Sequence, residues 1–399
     1  MEALVYLTYL GIILLLGLLL TILAKLIKIP NILLLIFLGI ALNQIHYQGM
    51  PLISFPLIFL TSISILALVL VVFDAASRFK LKEFDTFSLQ ALKLVFFFLI
   101  FNLIFLTLFT LLLFKEIASV WLALLFAAMM SGTDTLAAVV ILKNTKSRVV
   151  ELLEIESILN TPFVIVTTFI ILDLMKSFEP GLIVTQFIEQ IGPFLQQIIT
   201  GIGAGVLIGL LILKIMRRWY SETLSPLALI TGALLTYILA ENLGGSGVLA
   251  VTVTGLFFGN IYIKEKQSLH EFSTIFANSL EILVFVLVGL VISIPISSAF
   301  FIKGLLLFIL YLLIRFFTIH FCFLRSKYTL KEKIFMSLNI SKGISIAVIT
   351  FTFTTLGIPD IDPILHLSLF FMILSIILPT LVVPFSSFFI PPKEVKNHD

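Results

Sequence analysis

Charge is scarce in this chain. Of 399 residues only 12% are charged and 60% are hydrophobic, and the mean hydropathy is +1.21. An ordinary soluble domain carries about 25% charged and 45–50% apolar residues. Half the usual charge cannot cover a water-facing surface of this size. A soluble enzyme, a nucleic-acid binder and a disordered scaffold are therefore excluded. Cysteine is nearly absent too. The single Cys322 allows neither an intrachain disulfide nor a cysteine-based metal cluster, and it reads as a small buried hydrophobe. The five histidines, His46, His270, His320, His366 and His398, have no close metal-ligand spacing, and no nucleophile–base pair stands out. No enzyme activity and no cofactor are expected. Long polar stretches are missing, so no soluble domain is expected, only a short polar tail over 391–399. The opening Met1-Glu2-Ala3-Leu4 lacks the basic stretch of a secretory leader.

What the chain does have is long apolar runs. A helix needs about 20 residues to cross about 30 Å of hydrocarbon. Suitable runs lie at about 3–24, 29–46, 55–75, 90–114, 119–142, 151–175, 191–213, 223–240, 245–263, 273–293, 300–320, 334–356 and 363–390. They predict an all-α polytopic membrane protein with thirteen transmembrane helices. Continuous runs such as Leu111-Leu112-Leu113-Phe114 lack the alternation of a β-barrel.

The net charge of +3 says less than where the basic residues sit. Nineteen of the 25 Lys and Arg fall in the connections after odd-numbered spans and in the tail: Lys25 and Lys28; Arg78, Lys80 and Lys82; Lys143, Lys146 and Arg148; Lys214, Arg217 and Arg218; Lys264 and Lys266; Arg325, Lys327, Lys331 and Lys333; Lys393 and Lys396. The even-numbered connections hold only Lys115, Lys176 and Lys303. By the positive-inside rule the N-terminus lies outside and the C-terminus in the cytoplasm.

Ionisable residues at membrane depth are costly and usually functional. Lys93, Asp173 and Arg315 lie near span ends, where they can snorkel in structural roles. Glu281 lies deeper in span 10, where a packing partner and a transport role are equally open. Asp134 is different. It sits mid-span in Ser131-Gly132-Thr133-Asp134-Thr135, a stretch of small and hydroxyl residues that weakens a helix. This reads as a helix broken around a carboxylate, tolerated only inside protein or beside a water-filled cavity.

Span 6 carries Glu156-Ser157-Ile158-Leu159-Asn160-Thr161-Pro162. Glu156 with Asn160, and Ser157 with Thr161, stack one turn apart, so the four polar side chains share a face. Pro162 leaves the Ile158 carbonyl without its helical donor. These oxygens suit a hard monovalent cation, and equally a polar seam between helices. Span 12 contains a second small-residue break, Asn339-Ile340-Ser341-Lys342-Gly343-Ile344-Ser345, around a positive charge. A lysine at that depth needs a counter-ion, for which Asp134 and Glu156 are the candidates. Spans 5 and 12 are seven apart, an odd offset that inverts equivalent helices. Two such breaks point to a secondary transporter built from inverted repeats. One transmembrane domain over 1–390 is expected, with repeats at about 1–176 and 222–390 joined by a linking span at about 190–214.

At these residues the chain resembles the monovalent cation–proton antiporters of the NhaP/NHE type over nearly its whole length. Ser131-Gly132-Thr133-Asp134 resembles the family's Ser-x-Thr-Asp, and Glu156 to Pro162 resembles Glu-Ser-x-x-Asn-Asp-Pro. Lys342-Gly343 stands where Arg-Gly or Lys is usual. Glu281 through Gly289 resembles Glu-x-x-x-Phe-x-x-x-Gly, and Lys28-Ile29-Pro30 through Gly39 resembles the second-helix entry. The resemblance implies a dimerisation domain, a mobile core holding the crossing broken helices, and elevator-like exchange of Na⁺ (or Li⁺, K⁺) for H⁺. It also implies a homodimer in the cell membrane.

One position departs from the pattern. The family's ion-binding Asp is Thr161 here, and a threonine hydroxyl releases no proton at physiological pH. Thr135, where Pro is common, is a smaller departure. With no Asp at 161 the proton falls to Asp134, Glu156 or Lys342. The resemblance gives Asp134 mainly a supporting role in the site, and pairs Glu156 with the basic residue of the second break. The expected site has Asp134 as the shared carboxylate. Thr133, Ser157, Asn160 and Thr161 supply oxygens, and the cation sits at Asp134, Ser157 and Thr161. Glu156 and Lys342 form a structural ion pair. The alternatives are a uniporter or cation-coupled symporter of the same fold, and a non-transporting sensor.

Overall fold

The computed structural model describes residues 2–27, 29–47, 50–79, 86–134, 147–177, 184–218, 224–260, 266–295, 297–326 and 328–390. Each hydrophobic run is mainly helical where it is described, with non-helical stretches at 131–134 and 339–343. The helices are α1 (Glu2–Ile27), α2 (Asn31–Gln44), α3 (Leu57–Ser77), α4 (Thr86–Phe101), α5 (Thr107–Leu113), α6 (Val120–Met130), α7 (Arg148–Ser177) and α8 (Val184–Arg218). They continue with α9 (Leu224–Asn242), α10 (Gly247–Asn260), α11 (Lys266–Val291), α12 (Ser298–Cys322), α13 (Leu330–Leu338), α14 (Ile344–Thr355), α15 (Asp362–Val382) and α16 (Ser386–Phe389). A π turn at Asn102–Leu106 joins α4 to α5 in one rod. The only strands among the described residues are β1 (His46–Tyr47) and β2 (Met50–Pro51), a minimal hairpin.

Among the described residues seven helical stretches are long and apolar enough to cross a membrane, and five shorter apolar helices accompany them. The outer faces are apolar. On α1, Leu4 is 71% exposed and Leu26 75%, the reverse of a soluble protein. Burial is concentrated on α3, α6, α14 and α15, whose side chains form one continuous core.

Three local features place the elements that matter. The helix-start pattern Thr329-x-x-Glu332 closes a reciprocal cap on α13: the Glu332 N–H donates to Thr329 Oγ1 at 3.3 Å, and the Thr329 N–H to Glu332 Oε2 at 2.7 Å. Helices α2 and α11 cross at Gly39 and Gly289. A Cβ at Gly39 would sit 2.8 Å from Gly289 Cα, so only glycine permits this approach. That contact ties together the ends of two stretches that carry the family resemblance. Finally, α7 runs unbroken through Pro162.

Candidate functional site

Helix α6 ends where its small residues begin. The Ser131 and Gly132 N–H groups fold back to Ala128 and Met129 at 3.0 and 3.1 Å, tightening the last turn. Thr133 and Asp134 then continue without helix. The second break matches it: α13 ends at Leu338, residues 339–343 are non-helical, and α14 starts at Ile344. The two breaks meet. The Asp134 N–H donates to the Ser341 carbonyl at 2.7 Å, and the Ser341 hydroxyl donates back to the Asp134 carbonyl. Thr135 and the rest of run 119–142 lie outside the described residues.

Electrostatics explains why opposite charges occupy this crossing. The last carbonyls of a helix lack N–H partners and carry partial negative charge, and the first N–H groups carry the reverse. Lys342 Nζ donates to the Met130 carbonyl at 2.6 Å and the Gly132 carbonyl at 2.5 Å, so its ammonium caps α6. Its third donor takes Tyr311 Oη on α12 at 2.7 Å. The Asp134 carboxylate abuts Gly343, the residue at the N-terminus of α14. Each half-helix end thus faces a side chain of complementary sign.

The polar face of α7 divides in two. Ser157 and Thr161 turn towards a cavity of about 120 Å³ that they line together with Asp134, Asp74 of α3, Arg78 just after α3, and Glu281 of α11. The Thr161 hydroxyl donates to the Ser157 carbonyl at 3.1 Å. Glu156 and Asn160 are buried among protein groups instead. Asn160 Nδ2 donates to the Ser131 carbonyl at 2.9 Å and to Thr133 Oγ1 at 2.7 Å, and Thr133 Oγ1 lies 3.5 Å from Glu156 Oε1. On the opposite side of the break, Asn102 of the π turn donates to Ser131 Oγ at 3.2 Å. Asn160 thus satisfies a backbone carbonyl of the break and Asn102 holds the Ser131 side chain, so the start of the break is fixed from two helices.

Two sequence expectations are corrected. Glu156 does not form its ion pair with Lys342. Its partner is Arg315 of α12, whose Nη1 and Nη2 lie 2.6 and 2.7 Å from Glu156 Oε1 and Oε2, with both side chains fully buried. The Arg315 Nη2 donates to the carboxylate while Nη1 lies at ion-pair distance, and the Lys342 ammonium is already surrounded by three oxygens. Arg315 is accordingly no snorkelling residue; its guanidinium also lies 4.6 Å from the Phe98 ring centroid. The sequence also carried a signal in Asp74 and Arg78, four residues apart at the end of an apolar run. By its place in the sequence Arg78 falls in a basic connection, and Asp74 carries no expected role. Of the expected site residues, Asp134, Ser157 and Thr161 come together at the cavity. Thr133, Glu156 and Asn160 form the buried network beside it, and Lys342 bridges the breaks.

The profile of the family described as “Sodium/hydrogen exchanger, transmembrane” matches residues 11–388. The chain belongs to this family of sodium/hydrogen exchangers. It is a multi-span membrane protein of a transporter family, and not an enzyme. It is similar to “Na(+)/H(+) antiporter 1” of Methanocaldococcus jannaschii, 29% identical over 246 residues, which is 57% of this chain and 55% of that one. It is also similar to “K(+)/H(+) antiporter NhaP2” of a Shewanella species (strain ANA-3), 31% identical over 156 residues, covering 37% of this chain and 26% of that one. The matched stretches thus span about half, or less, of these relatives' lengths. The solved structure of the sodium proton antiporter MjNhaP1 from Methanocaldococcus jannaschii at pH 8 superposes with a TM-score of 0.77 at 23% identity, covering 97% of this chain and 99% of that one. The two share a fold.

Proposed function

We propose that this exchanger-family chain moves a monovalent cation, Na⁺ first with Li⁺ and K⁺ as alternatives, across the cell membrane in exchange for H⁺. One observation carries the reading: two helix breaks cross beside a cavity that Asp134 lines with Ser157 and Thr161. Asp134 is the carboxylate for which proton and cation compete. Hydroxyl and backbone oxygens of Ser157 and Thr161 complete the cation's shell, while Thr133, Asn160 and Glu156 hold the break in place. Lys342 balances the charge of the crossing without being consumed by an ion pair to Glu156. The family membership and the similarity to proteins named as Na⁺/H⁺ and K⁺/H⁺ antiporters support this.

The wider assignment follows the same lines. Thirteen crossings, the N-terminus outside and the C-terminus inside fit the alternation of basic residues. Two inverted repeats, an elevator-like motion of the core and a homodimer fit the family. Thr161 favours a second reading, because it supplies an oxygen but no titrating group: a uniporter or cation-coupled symporter, or a sensor that no longer transports.

The test uses purified protein in liposomes with a trapped pH-sensitive dye and Na⁺, Li⁺ or K⁺ added in turn. Wild type is expected to give a cation-driven pH change, and Asp134→Asn to abolish it. Full exchange in Asp134→Asn overturns the assignment of the shared carboxylate. A silent wild type that gains exchange on Thr161→Asp selects the second reading.

A further inference from the structure

We propose that Arg78 is a tethered competitor for the cation site, a permanent positive charge inside the cavity that weakens cation binding and so sets the working concentration range of the transporter. The inference rests on the reading of the cavity as a cation site, and it adds a residue which that reading does not use.

Arg78 lies just beyond the last turn of α3, one turn after Asp74, and both line the same cavity as Asp134, Ser157, Thr161 and Glu281. Arg78 Nε and Nη2 lie 3.0 and 2.7 Å from Asp74 Oδ2. The two ends of this pair differ in surroundings: the Asp74 side chain is 9% exposed and the Arg78 side chain 31%. The carboxylate is the enclosed end of the pair and the guanidinium the more exposed one. A guanidinium does not lose its proton in a protein, so its charge is present at every working pH.

A metal ion entering this cavity meets that charge and must either displace the guanidinium from Asp74 or bind against its repulsion. Because Arg78 is attached four residues from Asp74, it competes as an intramolecular ligand at high effective concentration. An ordinary i, i+4 pair on a helix surface would adjust helix stability slightly and leave ion affinity alone. The position of both partners in the cavity wall is what gives the pair a second consequence.

The experiment measures two quantities on the full-length protein with Na⁺, Li⁺ and K⁺ separately, at one alkaline pH. One is the cation concentration giving half of the maximal rise in thermal unfolding temperature in detergent. The other is the half-saturating cation concentration for the liposome pH change. Arg78→Gln is expected to lower both about three- to tenfold, and Arg78→Lys, which keeps the charge, to stay within about twofold of wild type. Asp74→Asn strands the guanidinium in the cavity and is expected to raise both by about tenfold or more, and Arg78→Gln added to Asp74→Asn to recover most of that loss. Half-saturation in Arg78→Gln equal to or above wild type overturns the proposal. Should Arg78→Gln fail to fold, the comparison of Asp74→Asn with the double variant decides, and no recovery in the double variant overturns it. A wild type that moves no protons sinks the antiport reading alone, since the thermal measurement needs no proton movement. A wild type that no cation stabilises sinks both.

Discussion

Arg315→Ala is expected to cost about 3–5 kcal/mol of stability, the usual penalty for leaving one member of a buried ion pair without its partner. Arg315 and Glu156 are both 0% exposed at the side chain, and the two nitrogen–oxygen contacts are 2.6 and 2.7 Å. Removing the guanidinium leaves a buried carboxylate whose remaining hydrogen-bond contact among the described residues is the Thr133 hydroxyl at 3.5 Å. It also empties the space over the Phe98 ring. Arg315→Lys should recover only part of the loss, because one ammonium cannot reproduce both contacts. Replacing both residues by leucine should cost less than either single alanine change, since no charge is then left buried. Unfolding of the detergent-solubilised protein by heat or denaturant reads all of these. A loss below about 1 kcal/mol for Arg315→Ala, the range of exposed pairs, would show that the pair is open to water.

Hydropathy locates the helices because lipid demands about 20 apolar residues in a row, and each expected run contains helix where it is described. The breaks at Ser131–Asp134 and Asn339–Gly343 are legible for a local reason: glycine, serine and threonine weaken a helix wherever they cluster. Arg315 is not legible in the same way. Its depth depends on how α12 packs, and its partner stands 159 positions earlier in the chain. A lone arginine near the end of an apolar run looks identical whether it snorkels or pairs. The face of α7 shows the same limit. Helical spacing groups Glu156, Ser157, Asn160 and Thr161, but only the neighbouring helices decide that Ser157 and Thr161 meet a cavity while Glu156 and Asn160 meet protein. Asp74 and Arg78 were legible by their spacing, and were obscured by the basic connection that follows them.

Gly343→Ala is expected to reduce cation-driven proton exchange by about a hundredfold, the order of loss that follows from misplacing a functional group by about 1 Å. A Cβ at 343 would sit 2.6 Å from Asp134 Cβ and Cγ and would overlap Oδ2. The backbone is not the obstacle: φ −97° and ψ −167° suit any residue. The whole effect therefore falls on Asp134. That residue cannot slide aside as a unit, because its N–H and carbonyl are both bonded to Ser341. Either the carboxylate turns away from the cavity or the crossing opens, and either change removes the group for which proton and cation compete. Overpacking of this kind costs about 1–3 kcal/mol, so the variant should still fold and be recoverable for assay. Gly132→Ala provides the control. Its Cβ would come within 2.6 Å of Ile346 Cδ1, the far end of a flexible side chain that can rotate away, with the Met129 carbonyl at 3.3 Å. It should keep exchange within about tenfold of wild type, the smaller loss expected when a side chain rather than the carboxylate absorbs the strain. Equal losses in the two variants would mean that the breaks need glycine for their backbone alone, and that Asp134 is not held at Gly343 when the protein works.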